Sequence, residues 1–133
     1  MIVVDASVLA VALADDGPDG DLARARLAAD PSLHVPYLAD LEVLSVLRRR
    51  LAAGDLDERR ARLALADLRD LSLVRYPHLP FADRIWELRR NLTPYDAVYV
   101  ALAETLARPF VTADARLGRA PGLRCSVEVL ARH

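Results

Sequence analysis

The stretch that decides the fold is "IVVDASVLAVALA", residues 2–14. Ile2-Val3-Val4 is a β-branched apolar run bounded by an acid, the mark of a short buried strand. From Ser7 to Ala14 the residues are small or aliphatic helix formers. A strand therefore passes into a helix within two residues, and Asp5 stands at the joint. The same alternation recurs along the chain. Residues 32–36 (SLHVP), 73–77 (LVRYP), 109–112 (PFVT) and 124–130 (RCSVEVL) read as further strands. Helices are expected over 21–29, 37–53 with Gly54 closing it, 57–71, 81–91 and from Thr93–Pro94 through Glu104. Residues 15–21 (DDGPDGD) read as a turn-rich loop; the twelfth positions counted from Asp15 and Asp16 are Arg26 and Leu27, so an EF-hand calcium loop is excluded. Short strands alternating with helices predict an α/β fold: a central, mostly parallel sheet of four to five short strands flanked by helices, with right-handed crossovers.

At 133 residues the chain is expected to form a single domain over 1–133. Hydrophobic residues make up 53% and aromatics only 5%, so the core must be aliphatic. All 18 basic residues are arginine, which rules out lysine-dependent chemistry, and the net charge of −1 gives no whole-molecule attraction to nucleic acid or membrane. Cys125 is the only cysteine and reads as a small buried hydrophobe; an internal disulfide and a cysteine zinc site are excluded. The N-terminus has no basic segment and Asp5 interrupts its apolar run, so it does not read as a signal peptide. With no run of about 18 uncharged apolar residues, no membrane span is expected, and the protein is expected to be cytoplasmic.

In an open parallel sheet, ligands bind beyond the carboxyl ends of the strands. Asp5 ends the first strand, and Asp114 follows the fourth by two residues. Helices return antiparallel to the strands, so their N-termini reach the same edge. Glu42 lies in the early turns of its helix and Asp96 in the first turn of another. Four carboxylates remote in sequence are thus assigned to one edge. Each has an ordinary alternative. Thr93-Pro94-Tyr95-Asp96 resembles a capping box with Asp96 at its third position; Asp5 and Asp114 could cap the helices that follow them; Glu42 could pair with Arg49, two turns on. Together, however, the acids would raise one another's pKa, a conflict that a divalent cation removes. Oxygen-only ligation suits Mg²⁺ or Mn²⁺. His34, His78 and His133 are scattered without metal-ligand spacing.

"MIVVDASVLAVAL", "VPYLADLEVLSVLRR", "TPYDAVYVALAETL" and "FVTADARLGR" resemble, in order and over nearly the whole chain, the motifs of the PIN-domain ribonucleases, and more narrowly the VapC-type toxins of bacterial toxin–antitoxin pairs. The resemblance implies a Mg²⁺-dependent endoribonuclease (Mn²⁺ serving in its place) with Asp5, Glu42, Asp96 and Asp114 as catalytic metal-holding acids, and with the Ser7 and Thr112 hydroxyls orienting carboxylates or water. It also implies an RNA substrate, a cognate antitoxin that occupies the active-site groove, and a homodimer. Where some relatives carry a further acid two residues after the fourth, this chain has Arg116. Arg116 and Arg119, just past Asp114, are the expected RNA contacts. The −1 net charge includes the four site acids; without them it would be +3. The alternative is a PIN-like module that binds RNA or protein without cutting, against which the retention of all four acids argues. Phospho-receiver and haloacid-dehalogenase-type readings want a lysine near the acids that this chain lacks.

Overall fold

The computed structural model describes residues 1–130; His133 lies outside them. Five strands, β1 (Ile2–Val4), β2 (Leu33–Pro36), β3 (Leu73–Tyr76), β4 (Phe110–Thr112) and β5 (Val127–Val129), form one sheet in the order β3-β2-β1-β4-β5. Every pairing is parallel. The central strands β1 and β4 are buried along their whole length, as strands covered on both faces must be. Seven helices surround the sheet: α1 (Ala6–Ala14), α2 (Pro18–Ala28), α3 (Leu38–Ala52), α4 (Glu58–Asp70), α5 (Ala82–Glu87), α6 (Pro94–Leu106) and α7 (Ala115–Gly118). Helix α6 lies against β1, β2 and β4 with α5 beside it, while α1 packs with α2, α3 and α4.

The core is aliphatic, as the composition requires. Val3, Val4, Leu9, Val35, Val43, Val100, Leu102 and Val111 are fully buried, and the one aromatic stack within it is Tyr99 on Phe110, with ring centroids 5.6 Å apart. Cys125 is only partly buried, although it packs against this core.

Several boundaries differ from the sequence reading. Helix α2 begins at Pro18, inside the stretch read as a loop. Proline at its first position sacrifices no intrahelical hydrogen bond, and Asp19 and Asp21 suit the positive end of the helix dipole. The helix expected over 81–91 ends at Glu87. Turn bonds from the Arg89 and Asn91 amides take over there, and the chain must become extended at Thr93 ahead of Pro94. Helix α3 stops where expected, with Gly54 at φ +82°. Helix α6 ends on Ala107 in the same left-handed region (φ 53°), a position with no glycine to signal it.

Candidate active site

Asp5 sits one residue past the end of β1, and its amide still donates to the Val111 carbonyl at 2.9 Å, so β4 fixes its backbone. The amide and hydroxyl of Ser7, in the first turn of α1, bear on its carboxylate, but they are not its strongest partner. The carboxylate accepts from the Thr112 hydroxyl, at 2.6 Å, across 107 residues of chain. That hydroxyl also accepts from the Asp114 amide at 3.0 Å, and Ser7 Oγ accepts from the Ala113 amide at 3.1 Å. Two hydroxyls therefore clamp the end of β1 to the turn that carries Asp114. Thr112 is fully buried and Asp5 nearly so. Burial pushes the Asp5 carboxyl above its ordinary range, against the pull of the Thr112 and Ser7 hydrogen bonds, and the Asp96 charge adds to the rise.

Glu42 lies in the second turn of α3, half-buried. Its partner is not Arg49, whose guanidinium donates to Ser45 Oγ at 3.2 Å. The Tyr99 hydroxyl donates to Glu42 Oε1 at 2.7 Å. This contact joins α3 to α6 and gives a buried phenol its hydrogen-bond partner. Burial again raises the Glu42 pKa; the Tyr99 hydrogen bond opposes the rise, while Asp5 and Asp96 reinforce it. Burial and the Glu42 charge together hold the Tyr99 hydroxyl protonated.

Asp96 stands in the first turn of α6, where Thr93 Oγ1 accepts from its amide at 3.3 Å. Thr93 and Asp96 thus pair across the first turn: the Thr93 hydroxyl accepts from the Asp96 amide and donates to the Asp96 carboxylate, which stands at the edge of the sheet. Its pKa is raised by burial first, lowered by the Arg116 charge and raised by Asp114. Asp114 does cap the short α7, accepting from the Arg116 amide at 2.9 Å. The Arg116 side chain also grips it, with Nη2 2.5 Å from Oδ2. That ion pair holds Asp114 below the usual carboxylate range, with a further contribution from Arg119.

Asp5, Glu42 and Asp96 are linked by repulsion, Asp114 joins them through Asp96, and the first three resist ionisation chiefly because of burial. Among the described residues, no group of three or more Asp, Glu, His or Cys side chains is already arranged to hold a metal ion. Asp5, Glu42 and Asp114 are each turned onto a protein partner: Thr112, Tyr99 and Arg116. The donor chemistry nevertheless fits a hard divalent cation, since it consists of carboxylate oxygens whose mutual repulsion a +2 charge would relieve.

Beside this edge, a groove of about 450 Å³ opens between α1, α2 and α3, with Ser7, Val11, Val46, Arg49 and Arg50 in its walls. The apolar residues of α3 divide. Val43 and Leu47 are core, while Leu41, Leu44 and Leu51 are exposed, Leu41 by 67%. No helix of the described residues is long and apolar enough to cross a membrane.

The geometry has a family. Residues 2–123 match the PIN domain. The chain is 46% identical to the VapC ribonuclease Mb0985 of Mycobacterium bovis over 132 residues, covering 99% of this chain and all of that one. It belongs to the VapC ribonucleases. Ribonuclease VapC1 of Mycobacterium tuberculosis is 43% identical, covering 96% of both chains. Among solved structures, that of VapBC2 from Rickettsia felis, bound to a DNA fragment from its promoter, superposes with a TM-score of 0.64 at 15% identity, covering 98% of this chain and all of that one. That likeness bears on the fold, an α/β sheet of five parallel strands.

Tyr99 is the residue that sequence reasoning missed. It lies in an apolar helix and reads as core, which it also is. The available signal was a phenolic oxygen in a segment with no other polar side chain between Asp96 and Glu104, a group that must find a partner when buried.

Proposed function

We propose that this VapC-family ribonuclease is a metal-dependent endoribonuclease that hydrolyses RNA phosphodiesters as the toxin of a toxin–antitoxin pair. The observation that carries the reading is the set of four carboxylates delivered to one sheet edge by β1, α3, α6 and the turn after β4, three of them with raised pKa. Asp5, Glu42 and Asp96 would hold Mg²⁺, or Mn²⁺, with Asp114 at the rim. When bound, such an ion supplies charge for the scissile phosphate, acidifies the attacking water and stabilises the leaving oxygen.

The chain's own groups do the remaining work. Thr112 fixes the Asp5 carboxylate and, through the Asp114 amide, the turn beside it. Tyr99 fixes Glu42. Tyr99 thereby holds one Glu42 oxygen and leaves the other to face the cation. Arg116 and Arg119 are exposed cations at the rim suited to backbone phosphates.

The exposed Leu41, Leu44 and Leu51 and the groove past Ser7 supply surface for protein partners: the cognate antitoxin in the groove, and a second copy of the chain in a homodimer. The VapBC2 relative, solved with promoter DNA, supports the antitoxin assignment. We take residues 1–133 as one PIN-like domain acting in the cytoplasm, where its RNA would be. A non-catalytic binding module has no specific use for one buried and two half-buried acids in repulsion.

The test is incubation of antitoxin-free protein with total cellular RNA, with Mg²⁺ or EDTA, alongside Asp5→Ala. Cleavage in Mg²⁺ that EDTA and the variant both abolish is the expected result. Cleavage persisting in EDTA refutes the metal mechanism, and no cleavage of any RNA returns the protein to the binding-module reading.

A further inference from the structure

Among the described residues Arg116 is the one cation hydrogen-bonded to any of the four acids, and its geometry on Asp114 is specific. Nε lies 3.2 Å from both Asp114 carboxylate oxygens, Nη2 lies 2.5 Å from Oδ2, and the backbone amide of the same residue donates to Oδ1 at 2.9 Å. Each oxygen of Asp114 therefore already receives two N–H groups. The same guanidinium is felt by Asp96, so its charge serves both acids on this side of the site. Any second cation bridging Asp96 and Asp114 would have to displace an arginine held by its own backbone two residues from the acid, and would then face its charge. The total charge argues the same way. Four carboxylates with Arg116 and one divalent ion leave a single negative charge; a second divalent ion would make the cluster positive.

We propose that Arg116 takes the place of a second metal ion, so that this chain binds one divalent cation, at Asp5, Glu42 and Asp96, with the guanidinium as fixed counter-charge to Asp114. This rests on the metal-dependent reading above and adds to it the number of ions and the residue that sets it. Among the described residues Nη1 of Arg116 makes no hydrogen bond, so the arginine could meet a phosphate oxygen without leaving Asp114.

The test is a Mn²⁺ titration of the full chain by calorimetry, with far-UV circular dichroism to confirm folding; Arg116 is exposed, so its variants should fold. Wild type should bind one Mn²⁺ per chain, Arg116→Lys one, and Arg116→Asp two, because the cation is replaced by a further carboxylate. Two ions in wild type, or one in both wild type and Arg116→Asp, overturns the inference and leaves the metal-dependent reading standing. No Mn²⁺ binding by wild type removes that reading and this inference together.

Discussion

Replacing Thr112 by valine removes one oxygen from a fully buried position and keeps the shape of the side chain. Two contacts go with it: the 2.6 Å hydrogen bond to Asp5 Oδ2 and the acceptor for the Asp114 amide at 3.0 Å. The first is made to a carboxylate, and hydrogen bonds to charged groups are worth about 1.5–3 kcal/mol. Losing it should raise the Asp5 pKa further. The direction follows from the environment: burial already raises this pKa, and Thr112 is the largest of the forces opposing it. On the proposed metal site protons compete with the cation for Asp5, so the acid limb of the cleavage profile should shift to higher pH. Initial rates on a short fluorescent RNA at one fixed, sub-saturating Mg²⁺ concentration, from about pH 5 to 9, read that limb directly. The high-pH plateau should fall much less, because Asp5 is ionised there in both proteins. Superimposable acid limbs in a folded variant would show that the Thr112–Asp5 bond does not set the ionisation that catalysis needs.

Two further predictions come from the same carboxylates. Asp5, Glu42 and Asp96 have folded-state pKa values above their ordinary ones, so the stability they contribute is present below the unfolded value near pH 4 and lost as pH rises through the folded values. In EDTA the melting temperature should therefore fall as pH rises above about 4, and Mg²⁺ should restore it at the alkaline end while adding little at the acid end; a flat profile without a Mg²⁺ increment contradicts this. The lowered carboxylates Asp16, Asp30, Glu104 and Asp114 act with opposite sign and at lower pH, since their stability is lost only as pH falls through depressed values. Tyr99→Phe keeps the ring on Phe110 and removes the donor to Glu42, so cleavage should drop by about tenfold while stability changes by about 1 kcal/mol or less; unchanged cleavage would make the hydroxyl a structural detail only.

The edge of the sheet was legible in the sequence because it follows from chain direction alone. A strand that ends in Asp5, a strand followed by Asp114, and two helices that must run back toward that edge place four acids without any knowledge of side-chain contacts. What was not legible is which neighbour holds each acid. A helical wheel puts Glu42 on an arc with Arg49, but the donor it finds, Tyr99, comes from another helix 57 residues away. The Asp5 partner lies 107 residues away. Such pairings depend on how α6 and β4 are laid against β1, which local pattern does not encode. The helix boundaries failed for a related reason. Pro18 reads as a loop residue among acids and glycines, yet it is also a good first residue of a helix, and only the packing of α2 on α1 decides between them.

Asp96 separates the account from its plainest alternative, in which the acid at the mouth of α6 is there to serve the helix. Thr93 accepts from the Asp96 amide and its hydroxyl donates to the Asp96 carboxylate; asparagine at position 96 leaves the first intact and keeps an oxygen that can accept the second. The direct measurement is RNA cleavage by Asp96→Asn in Mg²⁺, on protein shown by its melting curve to be folded. The account predicts cleavage lost and a melting temperature in EDTA equal to or above wild type, because a repelled, half-buried charge has been removed. A variant that melts lower and cleaves as well as wild type would contradict it.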